Sequence, residues 1–122
     1  MEAKPQTWAP SLRQNKQRHT MKKVRITAVR KADYKDLQAL YENPMEHPCS
    51  VSECMSWVSL GAQKPDGLCT EAWKGMREYV EALARGGGDF FDGWMRNPHS
   101  ALLSCNDGFR PVSFLLEAEP WG

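Results

Sequence analysis

The side chains best suited to chemistry in this sequence are four cysteines, Cys49, Cys54, Cys69 and Cys105. A thiolate is a soft ligand and a good nucleophile, so converging cysteines can bind a soft metal or carry out thiol redox chemistry. No two of them have the two-residue gap of a zinc knuckle or a thioredoxin-type pair, so spacing alone assigns no motif. Their settings say more. Cys49 lies in an irregular stretch flanked by proline, Cys69 directly ahead of a helix, and Cys105 at the turn end of a strand. Three cysteines at element ends can meet at one point, and three thiolate ligands would leave a fourth position on zinc or iron for water or substrate. Cys69 would also sit at the positive end of a helix dipole, which favours an anionic sulfur. His47 and His99, each beside a proline, could add a nitrogen ligand or a base for a thiol. The candidate site is therefore Cys49, Cys69 and Cys105, with His47 and His99 as auxiliaries.

A second reading gives the cysteines no chemistry. Free cysteine packs as a small hydrophobe, and the protein is then a binding or assembly module. Its aromatic stretch Phe90-Phe91-Trp94 would meet a partner or a second copy of the chain, forming a homo-oligomer. Other signals reduce to structure. Asp107 neighbours Cys105, but Asn106-Asp107-Gly108 supplies what a tight hairpin turn with positive φ requires. Gly86-Gly87-Gly88 follows a helix, whereas a phosphate loop precedes one, so it reads as a C-terminal cap. Trp57, Trp73 and Trp94 lack the basic interleaving of a base-stacking surface.

The elements that must position these groups begin at Val24. Val24, Ile26 and Ala28 alternate with Arg25, Thr27 and Val29, the period of a half-buried strand. Asp33 is placed to cap a short helix carrying Tyr34, Leu37, Leu40 and Tyr41, which Asn43-Pro44 stops. Residues 43–54 are irregular, 55–60 form a short strand, and 61–67 a turn. Thr70 then caps the main helix, whose stripe Ala72, Trp73, Met76, Tyr79, Val80 and Leu83 faces a core. Residues 89–98 close over that core as a turn or short helical piece, and 100–105 and 111–118 are strands. The order predicts a small α+β domain: a mostly antiparallel sheet of about four strands, one main core helix and one short helix.

Charge and hydropathy narrow the function classes. The chain has 122 residues and a net charge of +1. Residues 1–20 hold Lys4, Arg13, Lys16 and Arg18 against Glu2, so the remainder carries twelve basic and fourteen acidic groups. Such a domain does not track phosphates; nucleic acid could touch only the basic arm, and weakly. No run approaches the roughly 18 to 20 apolar residues of a membrane span, and no apolar secretory stretch opens the chain. These features predict a cytoplasmic protein whose cysteines are thiols or ligands, with no membrane partner. Residues 1–20 read as a disordered arm, a start-site or vector extension, since Met21-Lys22-Lys23 looks like a translation start. The single domain is then 21–122.

From Lys23 to about Trp121 the chain resembles a family of small prokaryotic proteins of roughly a hundred residues or fewer. The matching elements are Lys23-Val24-Arg25-Ile26-Thr27, Pro48-Cys49-Ser50, and Lys64-Pro65-Asp66-Gly67-Leu68-Cys69 followed by Trp73. Gly87-Gly88-Asp89-Phe90 and the closing Cys105-Asn106-Asp107-Gly108-Phe109-Arg110-Pro111-Val112-Ser113-Phe114 complete the pattern. Ser50 replaces a family proline, Leu68 replaces a phenylalanine, and Phe91-Asp92-Gly93 looks inserted. The resemblance implies that Cys49, Cys69 and Cys105 belong together and that Cys54 does not. It brings no activity with it.

Overall fold

The computed structural model describes residues 21–44 and 51–120. The alternating segment at the start forms strand β1 (Val24–Lys31), with Val24, Ile26 and Ala28 buried on one face. A seven-residue helix α1 (Lys35–Tyr41) and a short strand β2 (Ser56–Ser59) follow. Helix α2 (Thr70–Ala84), strand β3 (Ser100–Ser104) and strand β4 (Val112–Ala118) complete the described elements. The four strands form one sheet in the order β2-β1-β4-β3, and every neighbouring pair is antiparallel. This is the expected small α+β domain.

The core lies between one face of this sheet and α2. Val112, Phe114 and Leu116 of β4 lie beside Val24, Ile26 and Ala28, and Ala101 of β3 extends the buried surface. The stripe Ala72, Trp73, Met76, Val80, Leu83 and Ala84 of α2 covers it. Trp57 of β2, half-buried, leans on Phe114 with ring centroids 6.2 Å apart. The polar positions of the same strands fall on the opposite face, because side chains alternate along an extended chain. There Thr27, Leu115 and Leu102 lie in register across three strands.

Helix α2 ends as its glycines require. Gly86 adopts φ +90, and the Gly86 and Gly87 N–H groups donate to the carbonyls of Leu83 and Ala82 at 3.0 and 2.8 Å. Those two bonds are the paired closure of a Schellman cap. The start differs from expectation: Cys69, not Thr70, occupies the N-cap, with no side-chain hydrogen bond. Lys22 N–H donates to Ala84 O, which ties the helix end to the start of β1. The helix is about 21 Å long at 1.5 Å per residue and packs on β3, β4 and β1.

Two local expectations fail for physical reasons. Asp33 does not cap α1; Tyr34 holds the cap position, and Asp33 accepts instead from the Gln38 amide and pairs with Lys35. No residue of α1 is buried, so its apolar side chains Leu40 and Tyr41 face outward. The β3–β4 connection is not a tight turn either. Asn106, Asp107 and Gly108 all avoid positive φ, and the loop is widened and held by Asp107, whose Oδ1 accepts from Phe109 N–H at 2.8 Å and Arg110 N–H at 3.3 Å. A self-bonding Asp offers the backbone this alternative to a left-handed turn.

One close approach fixes the exit from α2. A Cβ on Gly88 would come within 2.2 Å of Pro98 O, a backbone atom that cannot swing aside. Gly88→Ala is therefore expected to lower the unfolding free energy by about 1–3 kcal/mol, measured by urea denaturation, whereas an alanine at Gly75, which has open space, is expected to be neutral or stabilising.

Candidate functional site

Two regions of the fold gather side chains that could work. The first is the end of the sheet where β1 and β3 finish and β4 begins. The β3–β4 loop is anchored there through Arg110, whose guanidinium donates to Glu42 Oε2 at 2.9 Å and Gln38 Oε1 at 2.8 Å. Its Nε lies 3.9 Å from Asp33 Oδ1. The planar fork of arginine suits this several-sided bridging, and the pair is sheltered, with the Arg110 and Glu42 side chains 22% and 12% exposed. Backbone bonds from Ala32 N–H to Pro111 O and from Tyr34 N–H to Phe109 O run alongside. Arg110 thus clasps α1 to the hairpin loop, which explains how a helix without buried residues stays in place.

Of the described cysteines, Cys105 lies at this end. Cys105 follows β3 directly; its N–H donates to Val112 O, and its sulfur accepts from Val112 N–H at 3.3 Å. Cys69 holds the N-cap position of α2 and is exposed. Cys54 is exposed too, on a residue with φ +74, and its N–H donates to Ala28 O. All three are free thiols. Cys49 and His47 lie outside the described residues. His99 is exposed at the beginning of β3, where its Nδ1 lies 3.2 Å from Gly87 O. The five residues of β3 separate it from Cys105, six steps of extended chain or about 20 Å, so the fold does not bring these two together. Among the described residues, no group of three or more His, Cys, Asp or Glu side chains is arranged to hold a metal ion.

The second region is the segment between α2 and β3. Asp89, Phe91 and Asp92 all adopt left-handed backbone, with φ between 52° and 53°, and Gly93 follows at φ +97. A left-handed phenylalanine is a sterically costly choice. Asp89 N–H bonds to Pro98 O at 2.6 Å, Asp92 N–H to Asp89 O at 3.3 Å and Trp94 N–H to Phe90 O at 3.2 Å, fixing the shape. Phe90 packs tilted against Tyr79 of α2, with ring centroids 5.0 Å apart, while Phe91 meets Trp94 edge-on at 5.2 Å. Phe91 remains 71% exposed and Trp94 42% exposed. Each side of this segment forms a concavity. Phe90 and Phe91 line one of about 300 Å³ with Glu78 and Tyr79. Trp94, Met95, Arg96 and Asn97 line another of about 470 Å³ over Leu102, Leu115 and Glu117 on the open sheet face.

Composition alone could reach only part of this. The aromatic stretch at 90–94 is visible in the sequence, and its Asp and Gly residues are the types that tolerate φ > 0. Arg110 gives no such signal, because its partners lie 68 and 72 positions away.

The charge cluster has a pH consequence. The Gln38 amide hydrogen bond first, then the Lys35 hydrogen bond, hold the Asp33 carboxyl below its ordinary range; the Glu42 hydrogen bond raises Arg110 further. A carboxyl depressed in the folded state stays ionised where the unfolded chain, near its ordinary value of about 3.9, has bound a proton. Its contribution is present above that value and is lost as pH falls through the folded one. The urea midpoint is expected to drop across this acidic window, and Asp33→Asn is expected to shallow the drop without changing the slope above pH 6, in denaturation curves taken at closely spaced pH. No family model, curated protein or solved structure matches the chain, so its own side chains carry the functional reading.

Proposed function

We propose that this domain is an interaction module that receives an apolar partner surface on Phe91, Trp94 and the adjoining groove over Leu102 and Leu115. The observation that carries the reading is the left-handed run at Asp89, Phe91 and Asp92, which holds two aromatic side chains outward on a constrained backbone. Backbone strain of this kind concentrates at binding and switch segments, and clustered exposed aromatics at the centre of an interface supply its main anchors. Hydrogen bonding from Arg96, Asn97 and Glu117 at the groove margin would give the polar rim that such surfaces carry. No helix among the described residues is long and apolar enough to cross a membrane. Free thiols at Cys54, Cys69 and Cys105 suit a reducing compartment, and we place the protein in the cytoplasm, akin to the small prokaryotic family its sequence resembles.

A benzophenone side chain at position 91 tests the reading in cells. A discrete ultraviolet-dependent adduct that Trp94→Ala removes is expected; no adduct, or one indifferent to Trp94→Ala, would refute it.

A specific observation favours a second reading, thiol or soft-metal chemistry at the Cys105 end. Cys105 sulfur already accepts a backbone N–H, and Cys69 is an exposed free thiol at the N-cap of α2. With Cys49 these would form a three-thiolate site for zinc or iron, with His47 nearby in the chain. Untagged protein purified without oxygen is then expected to retain about one equivalent of metal, lost in Cys69→Ser. Metal-free protein whose thiols react no faster than free cysteine would end this reading.

A further inference from the structure

The two concavities beside the aromatic segment differ in chemistry. The groove over Leu102 and Leu115 carries Arg96 and Glu117 together, so its charged margin is balanced. The other, about 300 Å³ on the α2 side, is bordered by Tyr79, Phe90 and Phe91 and by one charged side chain, the Glu78 carboxylate. An aromatic face carries negative charge density, so the three rings and the carboxylate act in the same sense. With no basic group in the lining, this is the chemistry of a cation cage.

The rings are set before any ligand arrives. Tyr79 follows Glu78 on α2 and meets Phe90 at 5.0 Å with the ring planes 60° apart, and both pack half-buried against the core. Consecutive side chains diverge along an extended chain, but Phe91 has φ 52 and borders the same hollow as Phe90. Bonds from Asp89 N–H to Pro98 O and from Trp94 N–H to Phe90 O hold the loop on either side. Rings fixed in this way lose little entropy when a ligand enters. Glu78 is uncommitted as well. Among the described residues it joins no ion pair, since Lys74, one turn earlier, is paired with Glu71 at 2.9 Å and Arg85 with Glu81.

The lining selects among ligands. An anion would face like charge from Glu78 and from the ring faces. A neutral apolar molecule would take the rings but press an unpaired carboxylate out of water. A hard metal ion needs several oxygen ligands and would find one carboxylate. An alkylammonium ion suits both parts, because its methyl groups pack on the rings and its diffuse charge answers the carboxylate. We propose that Glu78, Tyr79, Phe90 and Phe91 form a binding site for a small, free quaternary ammonium compound of about the size of choline. A hollow of this volume lies at the small end of ligand pockets. The site shares Phe91 with the proposed partner surface, lies otherwise apart from it, and does not depend on it.

The test titrates choline into the full chain and follows the backbone amides by NMR. Saturable shifts centred on Glu78, Tyr79 and the 89–92 segment are expected. The neutral carbon isostere, with a tert-butyl group in place of trimethylammonium, is expected to bind at least about fivefold more weakly. Phe91→Ala and Glu78→Gln are each expected to weaken choline about fivefold or more. Glu71→Gln, the same charge change on an exposed glutamate two turns earlier on α2, is expected to leave it unchanged. Should Phe91→Ala or Glu78→Gln fail to fold, the ratio of choline to isostere on the wild-type chain decides. No saturable shift, equal binding of the isostere, or equal losses in Glu71→Gln and Glu78→Gln would each overturn the proposal. A trimethyl-lysine peptide that binds more than about tenfold tighter than choline would overturn the free ligand in favour of a protein partner.

Discussion

The pairing of the first strand with the last is the constraint on which the rest of the structure depends. β1 and β4 lie side by side at the centre of the sheet, seven residue pairs long, although nearly the whole domain separates them in sequence. That ladder brings Val24, Ile26 and Ala28 beside Phe114 and Leu116, and this fully buried patch is the floor on which α2 rests. Closing so long a loop costs entropy before any contact rewards it. The intervening elements must therefore add burial cooperatively, with β2 and β3 extending the floor and α2 covering it. A break in the ladder has a local use. The register shift between Ala28 and Arg30 leaves Val29 unpaired, and beside it Ala28 exchanges two backbone bonds with Cys54 and Met55. The bulge thus anchors the irregular segment ahead of β2.

At the far end of that ladder, apolar burial gives way to polar bridging. α1 contributes nothing to the core, and its exposed Leu40 and Tyr41 gain nothing from where they sit. What holds it is Arg110, reaching Glu42 and Gln38 from the β3–β4 loop, with Asp107 shaping that loop from inside. A bridge of this type is directional where a hydrophobic contact is not, so it sets the orientation of the helix as well as its position. It also places the α1 clasp and Cys105 at one end of the sheet, while the aromatic segment enters β3 at the other.

These two kinds of bonding explain what could be read from residues alone. Period-two alternation at Val24–Ala28 and Val112–Leu116 and the stripe of α2 encode burial directly, so the strands, the helix and the α+β class were legible. Strand order was not, because nothing local in β1 says that its neighbours are β2 and β4. The turn at Asn106-Asp107-Gly108 misled for an instructive reason: Asp favours a tight turn and a self-bonded loop alike, and the choice belonged to distant Arg110 partners. Asp33 failed as a cap on the same ground, since Gln38 and Lys35 claimed its carboxylate. For the cysteines, sequence located Cys69 and Cys105 at element ends correctly but could not place them relative to His99, which topology sets at the opposite end of β3.

The segment from Asp89 to Gly93 poses the remaining question, because it combines left-handed backbone with exposed aromatic side chains. Left-handed backbone at non-glycine residues costs on the order of 1–3 kcal/mol each, and three such residues occur within four positions. Phe90 offsets part of this against Tyr79, and the Asp89–Pro98 bond fixes the base of the loop. Phe91 and Trp94 offset little, since they shelter mainly one another and leave apolar area in water. A connection whose only task was to join α2 to β3 could turn its aromatics inward or do without them. Leu102, on the neighbouring strand, is likewise apolar and uncovered, so the unfavourable exposure is contiguous across the groove and not confined to the loop. Exposure of that kind is relieved only when the surface leaves water, and within the described residues nothing further covers it. On the proposed reading association would supply the stabilisation, and the rigidity of the loop would then be an advantage: side chains already fixed in place lose little entropy on contact.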